Sequence, residues 1–272
     1  MSRKSKDVHN QFQGYLNTSL LWTNTALFGL QQFEMPHHSE AVINEDAIDE
    51  LRLGKRVEQF VSQELKQCDE IEILRENTQI QHNKRTIGEL DCILIHNKIP
   101  IHLEIVYKFY LFDHSEGLSE IEKWIGPNRN DTLLKKLTKL KSKQLQLLYS
   151  EYTKPLLDAL GLTVESIHQQ VFFKAQLFVP YNEKVPEFEL LNNACLSGFY
   201  IRLSEINQLN NCEFFIPTKV NWLIEIQRRA PWMNFTVFSE EISAIVNEKT
   251  SPLCWVKFPN GTVQKFFVVW WD

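Results

Sequence analysis

Two short turns of the same composition constrain the fold of this chain more than any other feature. The turns are His82-Asn83-Lys84 and His96-Asn97-Lys98, and they separate three runs rich in Ile, Leu, Val, Tyr and Phe. Such runs, over residues 71–80, 86–95 and 99–112, are typical of strands. Because turns this short leave no room for crossover helices, the sequence predicts an antiparallel meander of three strands.

Helical periodicity lies on both sides of the predicted meander. Between residues 46 and 68 the apolar residues recur near the helical period, which predicts an amphipathic helix with an interruption at Gly54. A second helix is expected from about residue 131 to residue 149, with Asp131 as its N-cap.

The remaining segments complete the pattern. Residues 12–33 combine aromatic and aliphatic residues with few charges, which is consistent with one or two buried helices. Beyond residue 152 we expect strands at 171–179 and 198–203, a helix at 219–228, and a closing hairpin at 255–270 with a two-residue turn at Asn260-Gly261. The order of helix, three strands, helix and strand predicts an α/β fold with a mixed sheet.

Composition narrows the class of protein. No apolar run with a cleavage site follows the basic N-terminus, and no stretch approaches the roughly 20 apolar residues that span a bilayer, so we expect a cytoplasmic location and no membrane association. The five cysteines are scattered without Cys-x-x-Cys spacing, which signals neither a disulfide framework nor a zinc cluster. A net charge of -5 argues against a protein that coats nucleic acid non-specifically, but it allows a local basic groove.

Acidic residues on the predicted strands are candidates for chemistry. Glu104 and Lys108 share a strand face, and a hairpin can bring Asp91 of the neighbouring strand beside Glu104. Burying an unpaired carboxylate on an apolar strand costs several kcal/mol, so such a residue indicates either a partner or a function. The plain alternative is a solvated sheet face, or a simple ion pair between Glu104 and Lys108.

These residues resemble a known family. Gly88-x-x-Asp91 on one strand and Glu104 with Lys108 on the next resemble motifs two and three of the PD-(D/E)XK, or restriction-endonuclease-like, nuclease superfamily, and Glu58 in a preceding helix resembles motif one. Residues 88–94, 104–111 and 126–147 look more closely like one uncharacterised bacterial family within it, domain of unknown function 1853. The resemblance covers residues 45–150 well and the rest weakly.

The resemblance implies both a fold and a site. The fold would be a restriction-endonuclease-like core over residues 45–180, with a helical segment over 1–44 and an α+β extension over 181–272. Asp91 and Glu104 would ligate magnesium, for which manganese can substitute, with the carbonyl of Ile105 as a further ligand. Glu58 would hold a second metal or its water shell. Lys108 would orient the water or stabilise the charge that develops on the phosphate.

One position departs from the superfamily. Its lysine usually lies two residues after the glutamate, where this chain has Val106. Two further residues add about 6.6 Å along a strand, so Lys108 must reach back, follow a bulge or play another role.

The predicted helix after the third strand is basic. A lysine run is more often a solvated helix face than a nucleic-acid track. Related nucleases, however, use such a helix beside the site to contact the substrate backbone. We therefore expect nucleic acid to bind at Lys135, Lys136, Lys139, Lys143 and Gln144.

Three functions remain open at this point. The first is magnesium-dependent phosphodiester hydrolysis of nucleic acid, with DNA favoured over RNA. The second is a catalytically silent nuclease fold that serves as a binding or scaffold module. The third is a structural interaction protein whose carboxylates are surface residues. Self-association or a protein partner is compatible with each of them, whereas the signatures of serine hydrolases and P-loop enzymes are missing from the sequence.

Overall fold

The computed structural model describes residues 3–23, 25–36, 42–44, 48, 51–184 and 187–271. Within these ranges the chain is α/β, with helices and a mixed sheet of nine strands. It divides into two compact units. The meander unit comprises residues 20–107 and 135–174, and the terminal unit comprises residues 1–19, 108–134 and 175–272. The predicted division of the sequence into 1–44, 45–180 and 181–272 stays a prediction.

The three-stranded meander is confirmed. Strands β1 (Ile71–His82), β2 (Arg85–His96) and β3 (Ile99–Phe112) pair in antiparallel order. Their connections are the two-residue turns Asn83-Lys84 and Asn97-Lys98, in which all four residues have φ between 46° and 70°. Positive φ at both central residues is the requirement of a type I′ hairpin turn, whose twist matches that of the flanking strands.

A helix precedes the meander, as predicted, but it is shorter than expected. Helix α2 runs from Leu53 to Leu65, after α1 (Arg3–Leu16) near the N-terminus. Residues 45–47 lie outside the described residues. Gly54 lies within α2, so the expected interruption there is wrong. The apolar side of α2 is buried through Val57, Phe60, Val61 and Leu65.

The helical run after β3 changes its winding along its length. It begins as α3 (Leu133–Lys139), continues as a π-helical turn (Leu140–Gln144) and ends as a 3₁₀ helix (Leu145–Tyr149). Helix α4 (Lys154–Leu160) follows, before β5 (His168–Pro180). In the meander unit, β5 lies next to β3 in the sheet. A core of aliphatic side chains joins β1, β2, the 3₁₀ helix, α4 and the residue before β5: Ile80, Leu90, Ile93, Leu148, Leu157 and Ile167.

The terminal unit holds the mixed part of the sheet. Strand β4 (Trp124–Ile125) pairs with the end of β3. The rest of the order is β5-β6-β9-β8-β7, with β6 parallel to both neighbours and β7 and β8 antiparallel to theirs. These strands are β6 (Leu196–Arg202), β7 (Glu213–Phe215), β8 (Leu253–Lys257) and β9 (Val263–Val269). Helix α5 (Phe235–Asn247) packs on them, with the rings of Phe214 and Phe238 stacked at 4.0 Å.

Of the one or two buried helices expected over residues 12–33, the described part of that region contains the end of α1, whereas residues near Leu20, Leu27 and Gln32 form isolated β-bridges. Two other local predictions were wrong. The predicted helix at 219–228 is a short 3₁₀ turn at Lys219–Leu223. The closing hairpin exists, but its loop spans 258–262 and is not a two-residue turn. No helix of the described residues has the length and apolar character needed to cross a bilayer.

Candidate functional site

Three carboxylates converge in the meander unit. Glu58 of α2 and the pair Glu89 and Asp91 of β2 each offer an oxygen, and these oxygens all lie within 4.8 Å of one another. Glu89 and Asp91 are two residues apart, so the pleat of β2 directs both to one face of the sheet. All three side chains are partly buried. The predicted residues Glu58 and Asp91 therefore lie together, and Glu89 joins them.

A lysine sits against this acidic cluster. The ammonium of Lys55, one turn before Glu58 on α2, lies 2.6 Å from Glu58 and 2.6 Å from Glu89. It also donates a hydrogen bond of 3.1 Å to the side chain of Asn77 on β1. Burial opposes its charge, but the hydrogen bonds and charges of Glu58 and Glu89 prevail and raise the pKa of Lys55. Lys55 therefore supplies a positive charge at the cluster.

Asn77 has an unusual backbone for a strand residue. Its φ is 48°, and it lies between the ladder pairs Glu76–Cys92 and Thr78–Leu90, so it is level with Asp91. Asparagine tolerates this left-handed region better than most residues do. A register shift also occurs nearby, where Ile87 of β2 is left unpaired. Such backbone irregularities cluster at functional sites, where they redirect side chains.

Asp91 carries an unfavourable negative charge. Burial and then the charge of Glu104 raise the pKa of Asp91 to about 7, against the opposing effects of the Ile105 backbone and Lys136. The amide N–H of Ile105 donates to the Asp91 carboxylate at 2.9 Å. Ile105 thus contacts the site through its N–H, whereas its carbonyl was the predicted ligand. Burial also raises the pKa of Glu58, despite its bond to Lys55.

Glu104 is completely buried, and its charge acts on both Glu58 and Asp91. It follows Leu103, which pairs with Cys92, so Glu104 and Asp91 are the next residues on their two antiparallel strands. One carboxylate oxygen of Glu104 lies 3.2 Å from Nε2 of His102, and the other accepts a hydrogen bond from Gln144. The adjacent, antiparallel strands expected for Asp91 and Glu104 are confirmed.

A hydrogen-bond chain fixes the orientation of His102. The side-chain amide of Gln169 donates to the carbonyl of Leu145 at 2.6 Å, and the same nitrogen lies 3.2 Å from Nδ1 of His102. Because that nitrogen is a donor, Nδ1 accepts, and the proton of the neutral ring resides on Nε2. His102 therefore donates to Glu104, which keeps one carboxylate oxygen in a fixed position.

The π-helical turn contributes a second contact to Glu104. Gln144 ends this turn, and its amide oxygen accepts a hydrogen bond of 2.9 Å from Lys136 on α3. The charge of Lys136 also acts on Asp91. Single π-turns occur frequently at functional sites, because the extra residue reorients a side chain. Lys136 and Gln144, both predicted to bind substrate, therefore lie at the carboxylates.

The other predicted lysines have different environments. Lys135, Lys139 and Lys143 are exposed on the same helical run. Lys108 belongs to the terminal unit, and its ammonium donates a hydrogen bond of 2.6 Å to Asp131. Lys108 was expected to act at the carboxylates of Asp91 and Glu104, but its ion-pair partner is Asp131. Asp131, the predicted N-cap, lies two residues before the start of α3.

Some residues of the site were missed from the sequence, among them Glu89, Lys55, His102 and Gln169. Glu89 could have been found by applying the same-face rule within β2, two residues from Asp91. Lys55 could have been found because it lies three residues before Glu58, and residues with this spacing are neighbours on a helix. His102 is likewise two residues from Glu104 on one strand. Gln169 carries no local signal, because it reaches the site through the tertiary fold.

The fold and the site together define an α/β protein with a partly buried carboxylate cluster on a β-meander. The family model described as Domain of unknown function (DUF1853) matches residues 14–269, so the chain belongs to this family. The expected relationship to that uncharacterised family is confirmed. No curated protein and no solved structure matches the chain.

Proposed function

We propose that this protein is a metal-dependent nuclease of the PD-(D/E)XK kind, which hydrolyses phosphodiester bonds of nucleic acid, with DNA favoured over RNA. The observation that carries the proposal is the convergence of Glu58, Glu89 and Asp91 within 4.8 Å. Magnesium, or manganese in its place, is the implied cofactor, since both prefer hard oxygen ligands.

The residues fit a divalent cation in geometry and in charge. Oxygens bound to one ion at roughly 2.0 to 2.6 Å are separated by at most about 5 Å, and the cluster meets that limit. Burial first, and then the charges of neighbouring carboxylates, raise the pKa of Glu58 and that of Asp91 despite the nearby lysines, so these two ionised carboxylates are not fully compensated. A divalent ion would supply the missing positive charge.

Each side chain then has a distinct task. Glu58, Glu89 and Asp91 would hold the ion, and the Ile105 N–H would orient Asp91. Glu104, held by His102 and Gln144, would help to position the neighbouring Asp91 from the buried side of the site. A bound magnesium ion supplies a Lewis acid for the phosphate and lowers the pKa of an attacking water.

Positive charge for the phosphate would come from lysines other than the expected one. Position 106 is a buried valine, and Lys108 is paired with Asp131. Lys136 lies beside the carboxylates, where its ammonium would stabilise charge that develops on the phosphate. Lys55 would leave Glu58 and Glu89 when the ion binds, and its charge would then be available to the substrate. The exposed lysines of the same helical run would contact the backbone of the nucleic acid.

The buried valine also favours a second candidate, a silent binding module that keeps the fold without catalysis. Cleavage assays separate the two. The full chain is incubated with single- and double-stranded DNA and RNA in the presence of magnesium, manganese or a chelator. The proposal predicts metal-dependent cleavage that Asp91→Asn and Glu104→Gln abolish, while Asp69→Asn, an exposed aspartate of the same unit, cleaves normally.

The alternative outcomes are equally specific. Metal-dependent binding of nucleic acid without cleavage supports the silent module. Cleavage that persists in the chelator, or that survives in both variants, contradicts the proposed site. DNA and RNA substrates of matched sequence decide between the two nucleic acids.

A further inference from the structure

A second candidate site lies in the terminal unit. A cavity of about 280 Å³ opens there, and its lining includes Lys265 of β9, Gln176 of β5, Ser197 of β6, and Asn17 and Glu225 near its mouth. These residues are separate from the carboxylate cluster of the meander unit. The volume lies near the lower end of the roughly 300–1,000 Å³ range of small-molecule sites, so an occupant would have few heavy atoms.

Gly14 lines this cavity, and Gly198 directly follows the lining residue Ser197. A Cβ atom at Gly14 of α1 would lie 1.9 Å from the carbonyl oxygen of Leu223, and one at Gly198 of β6 would lie 1.9 Å from that of Lys265. Neither position tolerates a side chain without movement of the backbone. The close approach of α1 to the 3₁₀ turn, and of β6 to β9, therefore depends on glycine.

Lys265 provides a buried positive charge at this cavity. Its side chain is 8% exposed, and its ammonium donates to Gln176 at 3.1 Å and to the carbonyl of Trp222 at 3.0 Å. Among the described residues its third N–H has no acceptor. Burial lowers the pKa of Lys265 to about 8, although Glu225 opposes this effect. A buried ammonium with an unused donor is costly, and an anionic acceptor would offset that cost.

The opposite charge at the mouth restricts the occupant. Glu225 is exposed there, and it accepts a hydrogen bond of 2.8 Å from Asn17. A ligand with one negative group could place it at Lys265, inside the cavity. A second negative group would approach Glu225 and be repelled. Leu223 and Ile226 also line the cavity, so an apolar part of the ligand could pack against them.

We propose that this cavity binds a small organic monocarboxylate, whose carboxylate accepts a hydrogen bond from the ammonium of Lys265. The proposal is independent of nuclease activity, because no residue of the carboxylate cluster lines the cavity. Charge recognition distinguishes it from a purely apolar pocket, which would not discriminate between an acid and its amide.

The test uses butyrate and butyramide as matched probes, which differ in charge and little in size. Their binding to the full chain is measured by ligand-observed NMR at neutral pH and millimolar concentration. We expect butyrate to bind and butyramide to bind far more weakly. Lys265→Met should weaken butyrate on the order of tenfold or more, as expected when a charged hydrogen-bond donor is removed. The control Lys257→Met, a lysine of β8 paired with Glu213, should bind as the wild type does.

A second variant guards against misfolding of Lys265→Met. Ala194 lines the cavity and is exposed, so Ala194→Phe should block entry with little effect on the core, whereas Asn193→Phe next to it should not block entry. Equal binding of butyrate and butyramide overturns the proposal. So does an absence of binding, or butyrate binding that survives Ala194→Phe. If inorganic phosphate binds in a Lys265-dependent manner and butyrate does not, the carboxylate assignment is wrong.

Discussion

Replacing Asp91 by asparagine should stabilise the metal-free protein, although most substitutions of partly buried residues destabilise. Burial and the charge of Glu104 raise the pKa of Asp91 from its ordinary 3.8 to about 7. The folded state therefore binds the proton more tightly than the unfolded chain does. The resulting destabilisation is absent below about pH 4, grows as the pH rises and is complete above about pH 7.

The magnitude follows from this difference. At about 1.4 kcal/mol for each pKa unit, ionised Asp91 costs the folded state on the order of 4 kcal/mol at neutral pH. Asparagine carries no charge, and its side-chain oxygen can still accept the N–H of Ile105, but the neutral bond is weaker by about 1 kcal/mol. We expect a net gain of about 2 to 3 kcal/mol in the free energy of unfolding.

Magnesium should remove most of this difference in stability. An ion at about 100 times its dissociation constant stabilises the folded wild type by about 2.7 kcal/mol, and the variant should gain little of this. At roughly 2 to 4 °C for each kcal/mol in a chain of this size, the metal should raise the wild-type melting temperature by about 5 to 10 °C.

The assay is thermal unfolding of both proteins, followed by circular dichroism in chelator and in magnesium. The matched control is Asp69→Asn, which removes an exposed aspartate and should respond to the metal as the wild type does. If Asp91→Asn melts below the wild type in chelator, the carboxylate is already compensated and the argument from charge fails. If Asp91→Asn keeps the full magnesium shift, the cluster is not the metal site.

The other predictions test positioning and packing. Lys108→Ala should cost about 0 to 1 kcal/mol in urea unfolding, as for other exposed ion pairs, and should leave cleavage intact. Lys136→Ala should slow cleavage on the order of 100-fold. If turnover assays instead show that Lys108→Ala loses cleavage and Lys136→Ala does not, Lys108 has the role that was first expected for it. His102→Ala should lower the free energy of unfolding by about 2 to 4 kcal/mol and should slow cleavage, because His102 is buried and hydrogen-bonded. Unchanged urea unfolding would contradict this prediction. Gly14→Ala should destabilise by about 1 to 3 kcal/mol because of its close backbone contact, whereas Gly54→Ala, in open space on a helix, should stabilise by up to about 1 kcal/mol; equal effects would contradict this reading.

Local patterns were sufficient to predict the meander and two of its acids. The turns Asn83-Lys84 and Asn97-Lys98 confine the chain to hairpins, and the period of two then assigns each side chain to a face. The hairpin pairing placed Asp91 beside Glu104, and the resemblance to the nuclease superfamily singled these two acids out. Strand pairing over such short distances depends on neighbours in the sequence, so the sequence by itself determined this part of the protein.

Tertiary packing decided the partners of each charge. Gln169 reaches His102 from β5, and Gln144 reaches Glu104 through a π-turn that no period of residues reveals. The pairing of Lys108 with Asp131, and the winding of the terminal helices and loops, likewise depend on contacts distant in sequence. Periodicity identifies which face of an element is buried, but it carries no information about which residue lies opposite. The hydrogen bonds that fix Glu104, and the burial that raises the pKa of Asp91, therefore exist only in the folded chain.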